Sequence, residues 1–368
     1  ITFETLTGNK CLVDTFDRNF QYSVEHVSLA KKADLFLVAP ASANFIGKAA
    51  NGIADDMLTT TFMACECKKI VSPAMNTRMF NNPVVKDNMK KLESYGIDVI
   101  NPASGYLACG DTGEGKMPEP EVLLSYILRE LAHEKDMKGL KVCVTAGPTR
   151  ETIDPVRFIS NRSTGKMGFA LAKNAMERGA DVTLVSGPVE LKDVPFVKMV
   201  HVESARQMFE AVTKEAETAD IIVKAAAVAD YRPAVVADEK IKKKDGDMSI
   251  ALERTDDIIG TLGKTKRDNL FLCGFSMETE HMLENSKAKL EKKNLDMIVA
   301  NNLKTAGAGF GTDTNVITII TKDSEQAFDL MSKAQAADCI LDAICEQKNQ
   351  NPLLADAMEC RLHSNSVR

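Results

Sequence analysis

The chain has 368 residues, 44% of them hydrophobic and 27% charged, a length and composition that suit two or three folded domains and exclude wholesale disorder. Lys and Arg number 46 against 52 Asp and Glu, for a net charge of -6, which excludes a chain-wide polyanion-binding surface and leaves nucleic acid without an electrostatic footprint. No apolar run approaches the roughly 18 to 20 residues of a membrane span, and the start at Ile1 shows no basic segment leading into an apolar one, so no signal peptide is expected.

Short β-branched runs alternate with amphipathic stretches, the pattern of an α/β fold in which mostly parallel sheets are covered by helices. Strands are expected at residues 33–38, 69–72 and 97–101, with helices near 84–95 and 121–133. The charged run from Ala132 to Lys138 interrupts the pattern, and a domain boundary is placed there, giving a first domain at 1–137. A second α/β domain at 138–348 opens with a strand at 140–145, followed by a polar loop and a helix from about Met167. Further strands are expected at 181–185, 221–224, 270–274, 297–300 and 316–320, with a final helix over 325–347 and a tail at 349–368 that has no usable period. Nine Cys stand singly apart from Cys65 and Cys67, without C-x-x-C, which argues against a disulfide framework or zinc site and for a reducing, cytoplasmic setting.

Several segments carry possible chemistry, each beside a blander reading. Residues 145–168, T-A-G-P-T-R-E-T-I-D-P-V-R-F-I-S-N-R-S-T-G-K-M-G, have the glycines, hydroxyls and Lys166 of an anion cradle at a helix start. They serve equally well as a structural connector, because Gly and Pro punctuate any βα turn. Residues 224–244 leave a buried strand through small residues and end in a lysine cluster, where a lysine either neutralises phosphate charge or belongs to a solvated face. Asp230 either helps hold a metal or caps a turn. Two strand ends run into A-P-A-S-A-N (39–44) and P-A-M-N (73–76), at the carboxyl ends where open α/β sheets bind ligands. His26 reads as an acid or base or as a helix-surface histidine, and Cys109, among Gly105, Gly110, Gly113 and Gly115, as part of a closing flap or as an incidental loop thiol.

Taken together, H-V-S-L-A-K-K-A-D (26–34), A-P-A-S-A-N with G-I-A-D-D (52–56), P-A-M-N, A-C-G-D-x-G-x-G-K-M (108–117), the 145–168 string, A-A-V-A-D-Y (226–231) and K-I-K-K (240–243) resemble the bacterial bifunctional phosphopantothenoylcysteine decarboxylase/phosphopantothenate-cysteine ligase family of coenzyme A synthesis. The resemblance spans about Val24 to Lys348. It implies a flavodoxin-like FMN domain followed by a Rossmann-like, CTP-dependent ligase domain. In the first, FMN oxidises the thiol of 4'-phospho-N-pantothenoylcysteine, carbon dioxide leaves, and the reduced flavin returns the electrons. The resemblance implies His26 as the active-site histidine, Asn76 as the binder of the substrate carboxylate, Cys109 as the proton donor, and Ser42 and Asn44 in the flavin site.

In the second domain it implies attack of phosphopantothenate on CTP to give an acyl-cytidylate, then displacement of CMP by the amine of cysteine. Asn161 would handle the acyl-cytidylate, Arg157 and Ala226 would assist its conversion, and Lys240 would serve the first half-reaction. Asp230 and Phe275 are implied cytidine or metal contacts, and Mg2+ an implied cofactor. A homo-oligomer is implied as well. The chain starts after the family's first strand and its glycine turn, so a weakened flavin site is expected. Lys116 also stands where the family usually has Arg, which removes a two-pronged contact. Two rivals are a non-catalytic flavoprotein-fold binding or regulatory protein, opposed by the presence of His26 and Cys109, and a nicotinamide-dependent oxidoreductase, opposed by the missing G-x-G-x-x-G.

Overall fold

The computed structural model describes residues 2–13, 25–106, 110, 112–243, 248–278, 282–302, 309 and 311–350. Cys109 and most of the expected tail lie outside the described residues. The chain divides into two compact units, Ile1–Ala132 and His133–Arg368.

In the first unit, strands Leu35–Ala41, Lys68–Pro73 and Asp98–Val99 form a parallel sheet in chain order. Strand alternation divides the core. Val38 and Val71 face Phe45, Ile46, Phe62 and Leu92, whereas Leu35, Leu37 and Ile70 face Ile100 and Leu123. Phe62 meets Phe36 and Phe45 edge-on at 5.6 and 5.2 Å. The third strand is shorter than expected, because only Asp98 and Val99 pair with Ile70 and Val71. The G-I-A-D-D motif has a structural use: Asp56 and Thr59 form a capping box on helix Met57–Ala64, and Lys48 pairs with Asp55 at 2.6 Å and Asp56 at 3.2 Å.

The second unit holds an eight-stranded sheet in the spatial order Lys198–His201, Asp181–Ser186, Lys141–Ala146, Ile221–Lys224, Phe271–Glu278, Met297–Asn302, Ile317–Thr321 and Glu325–Ala327. The first six run parallel and the last two antiparallel. From the Lys141–Ala146 strand the chain builds outward to one side, then returns and builds to the other. That reversal opens a crevice at the carboxyl ends of Lys141–Ala146 and Ile221–Lys224, where such sheets bind ligands.

Two expectations are corrected here. Residues 325–327 form an edge strand, not the start of the last helix, which runs Lys333–Gln350. The reason is local: Thr321 Oγ1 accepts from the backbone N–H of Asp323 and Ser324, closing a turn that folds Glu325–Ala327 back on Ile317–Thr321. The polar loop after residue 146 contains a hairpin, Arg150–Asp154 with Arg157–Ser160.

The charged run near 132–138 is firmly attached to the second unit. Met137 is fully buried, and Arg178, only 5% exposed, binds Asp136 through both Nε and Nη2 and Asp342 through Nη1 at 2.7 Å. Burial disfavours the charged guanidinium, but these carboxylates more than offset it and raise its pKa further. Arg178→Met is expected to lower unfolding free energy by about 2 to 3 kcal/mol, the scale of charge-assisted hydrogen bonds. Equilibrium urea unfolding checks this, and an unchanged midpoint would count against it.

Candidate active sites

In the first unit the candidate residues gather at the carboxyl end of the sheet. Ser42 caps helix Ala43–Ala50, its Oγ accepting from Phe45 N at 3.2 Å, and Asn44 lies exposed in the first turn. Asn76 caps helix Thr77–Phe80, its Oδ1 accepting from Arg78 N at 2.9 Å, which orients the amide. His26 is half-buried in the first turn of helix Glu25–Lys32. That helix packs on helix Met57–Ala64. The wholly buried Ser72 hydroxyl, beside P-A-M-N, has no hydrogen-bond partner, an orphaned donor suited to a polar ligand.

The hairpin Ala103–Tyr106 with Thr112–Lys116 docks on the P-A-M-N turn. Met75 N donates to Gly115 O at 3.0 Å, and Thr77 Oγ1 donates to Glu114 O at 2.7 Å. Gly115 has φ of +128°, and a Cβ there would lie 2.2 Å from Met75 O, so only glycine permits this approach. The docking sets Gly113–Gly115 against Met75 and Thr77, the neighbours of Asn76; Cys109 lies outside the described residues. Lys116 pairs with Glu119 at 2.7 Å on the surface. Gly115→Val is expected to displace the hairpin from the P-A-M-N turn, read as faster amide exchange at Met75 with exchange in the second unit unchanged. Unchanged exchange at Met75 would contradict the close approach.

In the second unit, a 130 Å³ cavity lies at the crevice, lined by Gly165, Lys166 and Gly168 at the start of helix Lys166–Glu177, by Ala225–Ala227 and by Phe275. Gly168 lets the helix approach the sheet: a Cβ there would lie 2.6 Å from the Ala146 methyl and 2.8 Å from Thr145 O. The structure joins Asn161 to the Ala226 segment, Nδ2 donating to Ala227 O at 2.8 Å. Lys166, read from sequence as aimed at an anion, instead pairs with Asp313 at 2.7 Å. Ala226 and Phe275 share this cavity, whereas Asp230 does not.

Asp230 lines a second cavity of 400 Å³ with Lys224, Tyr231, Arg254, Asp256, Asp257 and Lys293. Asp257 and Lys293 pair at 2.9 Å. Burial, reinforced by Lys293, lowers the Lys224 pKa, with Asp257 and Asp230 opposing. The backbone from Ala225 to Tyr231 runs directly from one cavity to the other.

Lys240 is exposed, and its neighbour Ile241 is clamped: Ile241 N donates to Asp154 Oδ2 at 3.1 Å and Arg157 Nη2 donates to Ile241 O at 2.7 Å. Asp154 also accepts from Val156 N and Arg157 N, each at 2.9 Å, and pairs with Arg157 at 2.7 Å. Burial pushes the carboxyl up, but these N–H groups and the guanidinium outweigh it and hold its pKa down to about 2. The clamp therefore contributes fully above the ordinary carboxylate value and is lost only as pH falls towards about 2. Arg157 Nε is buried without an acceptor, beside the segment that carries Lys240. Sequence reasoning named Arg157 and Lys240 but missed Asp154, whose signal was an Asp opening a D-P-V-R turn.

Comparisons with known proteins align with this division. Residues 1–132 match the Flavoprotein family and residues 137–347 the DNA/pantothenate metabolism flavoprotein C-terminal domain. A Bacillus subtilis relative, Coenzyme A biosynthesis bifunctional protein CoaBC, is 46% identical over 95% of this chain and 87% of its own. A relative from an unknown prokaryotic organism, Cysteine/Cysteine sulfinic acid decarboxylase, is 45% identical over 94% of this chain and 98% of its own. The solved C-terminal domain of a Coenzyme A biosynthesis bifunctional protein CoaBC, 41% identical, covers 59% of this chain and 100% of that one with a TM-score of 0.52.

Proposed function

Since the chain belongs to the bifunctional flavoprotein family of coenzyme A biosynthesis, we propose that its second unit makes 4'-phospho-N-pantothenoylcysteine from 4'-phosphopantothenate, cysteine and CTP, and that its first unit decarboxylates that product to 4'-phosphopantetheine. The observation that carries the ligase reading is the Ala225–Tyr231 backbone linking two cavities. An acyl-cytidylate needs such a pair, one for its acyl arm and one for its nucleotide. The carboxylate of phosphopantothenate attacks the α-phosphoryl group of CTP and pyrophosphate leaves; the amine of cysteine then attacks the acyl carbon and CMP leaves.

Lys240, on its clamped segment, neutralises charge that develops at phosphorus in the first step. The orphaned Arg157 Nε supplies a donor beside it. Asn161 holds the Ala227 carbonyl and so fixes the small-residue wall, including Ala226, against which the intermediate lies. Phe275 gives an apolar side to the acyl cavity, and Asp230 lines the nucleotide cavity, where Lys224, Arg254 and Lys293 offer the cations for phosphate. Among the described residues no cluster of three or more His, Cys, Asp or Glu is arranged to hold a metal. Mg2+ would therefore arrive with the triphosphate, and Asp230 is the candidate carboxylate to meet it.

At the first unit's sheet end, Ser42, Asn44 and the unpartnered Ser72 hydroxyl fit a polar flavin edge. FMN, when bound there, supplies the two-electron oxidation and the return reduction. Asn76 would bind the substrate carboxylate, His26 would move the thiol proton, and Cys109 would donate a proton to the product. Among the described residues no helix is long and apolar enough to cross a membrane. A cytoplasmic location and a homo-oligomer complete this reading, supported by family membership and by exposed Val156 and Phe158 on the hairpin.

Mass spectrometry of a reaction holding 4'-phosphopantothenate, cysteine, CTP and magnesium tests the ligase half. The expected product is 4'-phospho-N-pantothenoylcysteine, and a folded sample making none would overturn it. Carbon dioxide release with FMN from that compound, compared with free cysteine, tests the other half. The relative named for cysteine decarboxylation makes free cysteine the competing substrate.

A further inference from the structure

Lys333 opens the last helix, Lys333–Gln350, and is only 7% exposed, yet among the described residues no carboxylate pairs with it directly. Its Nζ donates to the backbone carbonyls of Gly309, at 3.0 Å, and Thr312, and its own backbone N–H donates to Asp313 O at 2.9 Å. One residue thus holds Gly309, Thr312 and Asp313 through three hydrogen bonds. Thr312 Oγ1 reinforces this arrangement through Gly309 O and Thr314 O. Gly311 and Asp313 are tied to the other helix at the crevice, Lys166 donating to Gly311 O at 3.2 Å and pairing with Asp313. Lys166, Gly309 and Lys333 all line the 130 Å³ cavity.

The electrostatics of this corner are unfavourable in an empty protein. Lys166 and Lys333 each begin a helix, neither helix has an acidic residue in its first turn, and cations belong at the opposite helix end. Burial lowers the Lys333 pKa, Lys166 lowers it further, and Asp313 opposes. Asp313 is shared with Lys166, so among the described residues two ammonium groups face one carboxylate. Two carbonyls occupy two of the three donors of Lys333. An anion in the cavity would compensate this surplus, and Gly309 is held at the wall such an anion meets.

Resting on the ligase reading, we propose that Lys333 is a positioning residue for the acyl substrate. Through the carbonyls of Gly309 and Thr312 it fixes Gly309 at one wall of the cavity, and it keeps that wall positive for the phosphate-bearing arm of 4'-phosphopantothenate. It acts on the acyl arm and not on the nucleotide, because Lys333 lines the first cavity and is absent from the lining of the second.

Steady-state pyrophosphate release by the whole chain, with each substrate varied separately, tests this for wild type, Lys333→Met and Lys333→Arg. In Lys333→Met, KM for 4'-phosphopantothenate is expected to rise about tenfold or more while KM for CTP stays within about twofold. Amide exchange over residues 312–315 is expected to quicken. Lys333→Arg should recover most of the affinity, since a guanidinium reaches the same carbonyls while keeping the charge. If Lys333→Met does not fold, Lys333→Gln, which keeps a side-chain donor and removes the charge, carries the same expected KM change. An unchanged KM for 4'-phosphopantothenate in the folded variant, with wild type active, overturns the role of Lys333 alone. A parallel rise in both KM values also overturns it, and a wild type without phosphopantothenate-dependent release overturns the ligase reading and this role together.

Discussion

Asp154→Ala is expected to reduce CTP-dependent pyrophosphate release about 100-fold although Lys240 is untouched, the scale by which a roughly 1 Å misplacement slows a positioned group. Lys240 is exposed and has no structure of its own to hold it; what fixes its segment is Ile241, gripped at N–H by Asp154 and at C=O by Arg157. Removing the carboxylate leaves the N–H groups of Val156, Arg157 and Ile241 without their acceptor and the guanidinium without its counter-ion. Lys240→Gln should stop cytidylate formation outright, so the two variants share a defective step and differ in degree. Asp154→Asn keeps acceptor capacity and loses the charge, and should fall between wild type and Asp154→Ala. Since the Asp154 pKa lies at about 2, wild type should show no loss of the clamp between pH 5 and pH 8. Wild-type release by Asp154→Ala would contradict the clamp's role.

Asn161→Asp is the second large effect. Asn161 donates through Nδ2 to Ala227 O at 2.8 Å; an aspartate has no proton there at neutral pH and sets a negative charge against that carbonyl. The Ala225–Ala227 wall should shift where the intermediate waits for the amine. Cytidylate formation, assigned to Lys240 in the proposed reaction, is expected to stay largely intact, while amide formation falls about 100-fold. Rapid-quench analysis would then show pyrophosphate released in a burst with acyl-cytidylate accumulating. Equal slowing of both half-reactions would place Asn161 in the first step instead.

Much of the scaffold was legible because buried parallel strands are continuous apolar runs. Ile221–Lys224 is such a run, with Ile221, Ile222 and Val223 fully buried between the two faces of helices. The family resemblance was carried by strings whose local jobs are now visible: Ser42 and Asn76 cap helices, and Gly115 permits the hairpin's approach to Met75. What escaped was set by pairing distant in sequence. The polar stretch Glu325–Ala327 resembles a helix start until Ile317–Thr321 supplies its partner. The hairpin at 150–160 hid inside a loop composition. Lys166 looked aimed at an anion because Asp313, its partner, lies 147 residues away. Lys333 gave no signal, because the helix expected over 325–347 places it in a helix interior. Its environment is assembled from Gly309 and Thr312, which no periodicity reveals.

Pyrophosphate release from the whole chain with 4'-phosphopantothenate, CTP, magnesium and cysteine, each omitted in turn, addresses the central claim most directly. Release that requires 4'-phosphopantothenate and CTP but persists without cysteine is the predicted result, since the acyl-cytidylate forms before the amine is used. Release that requires cysteine, or none from a folded sample under any combination, would contradict it.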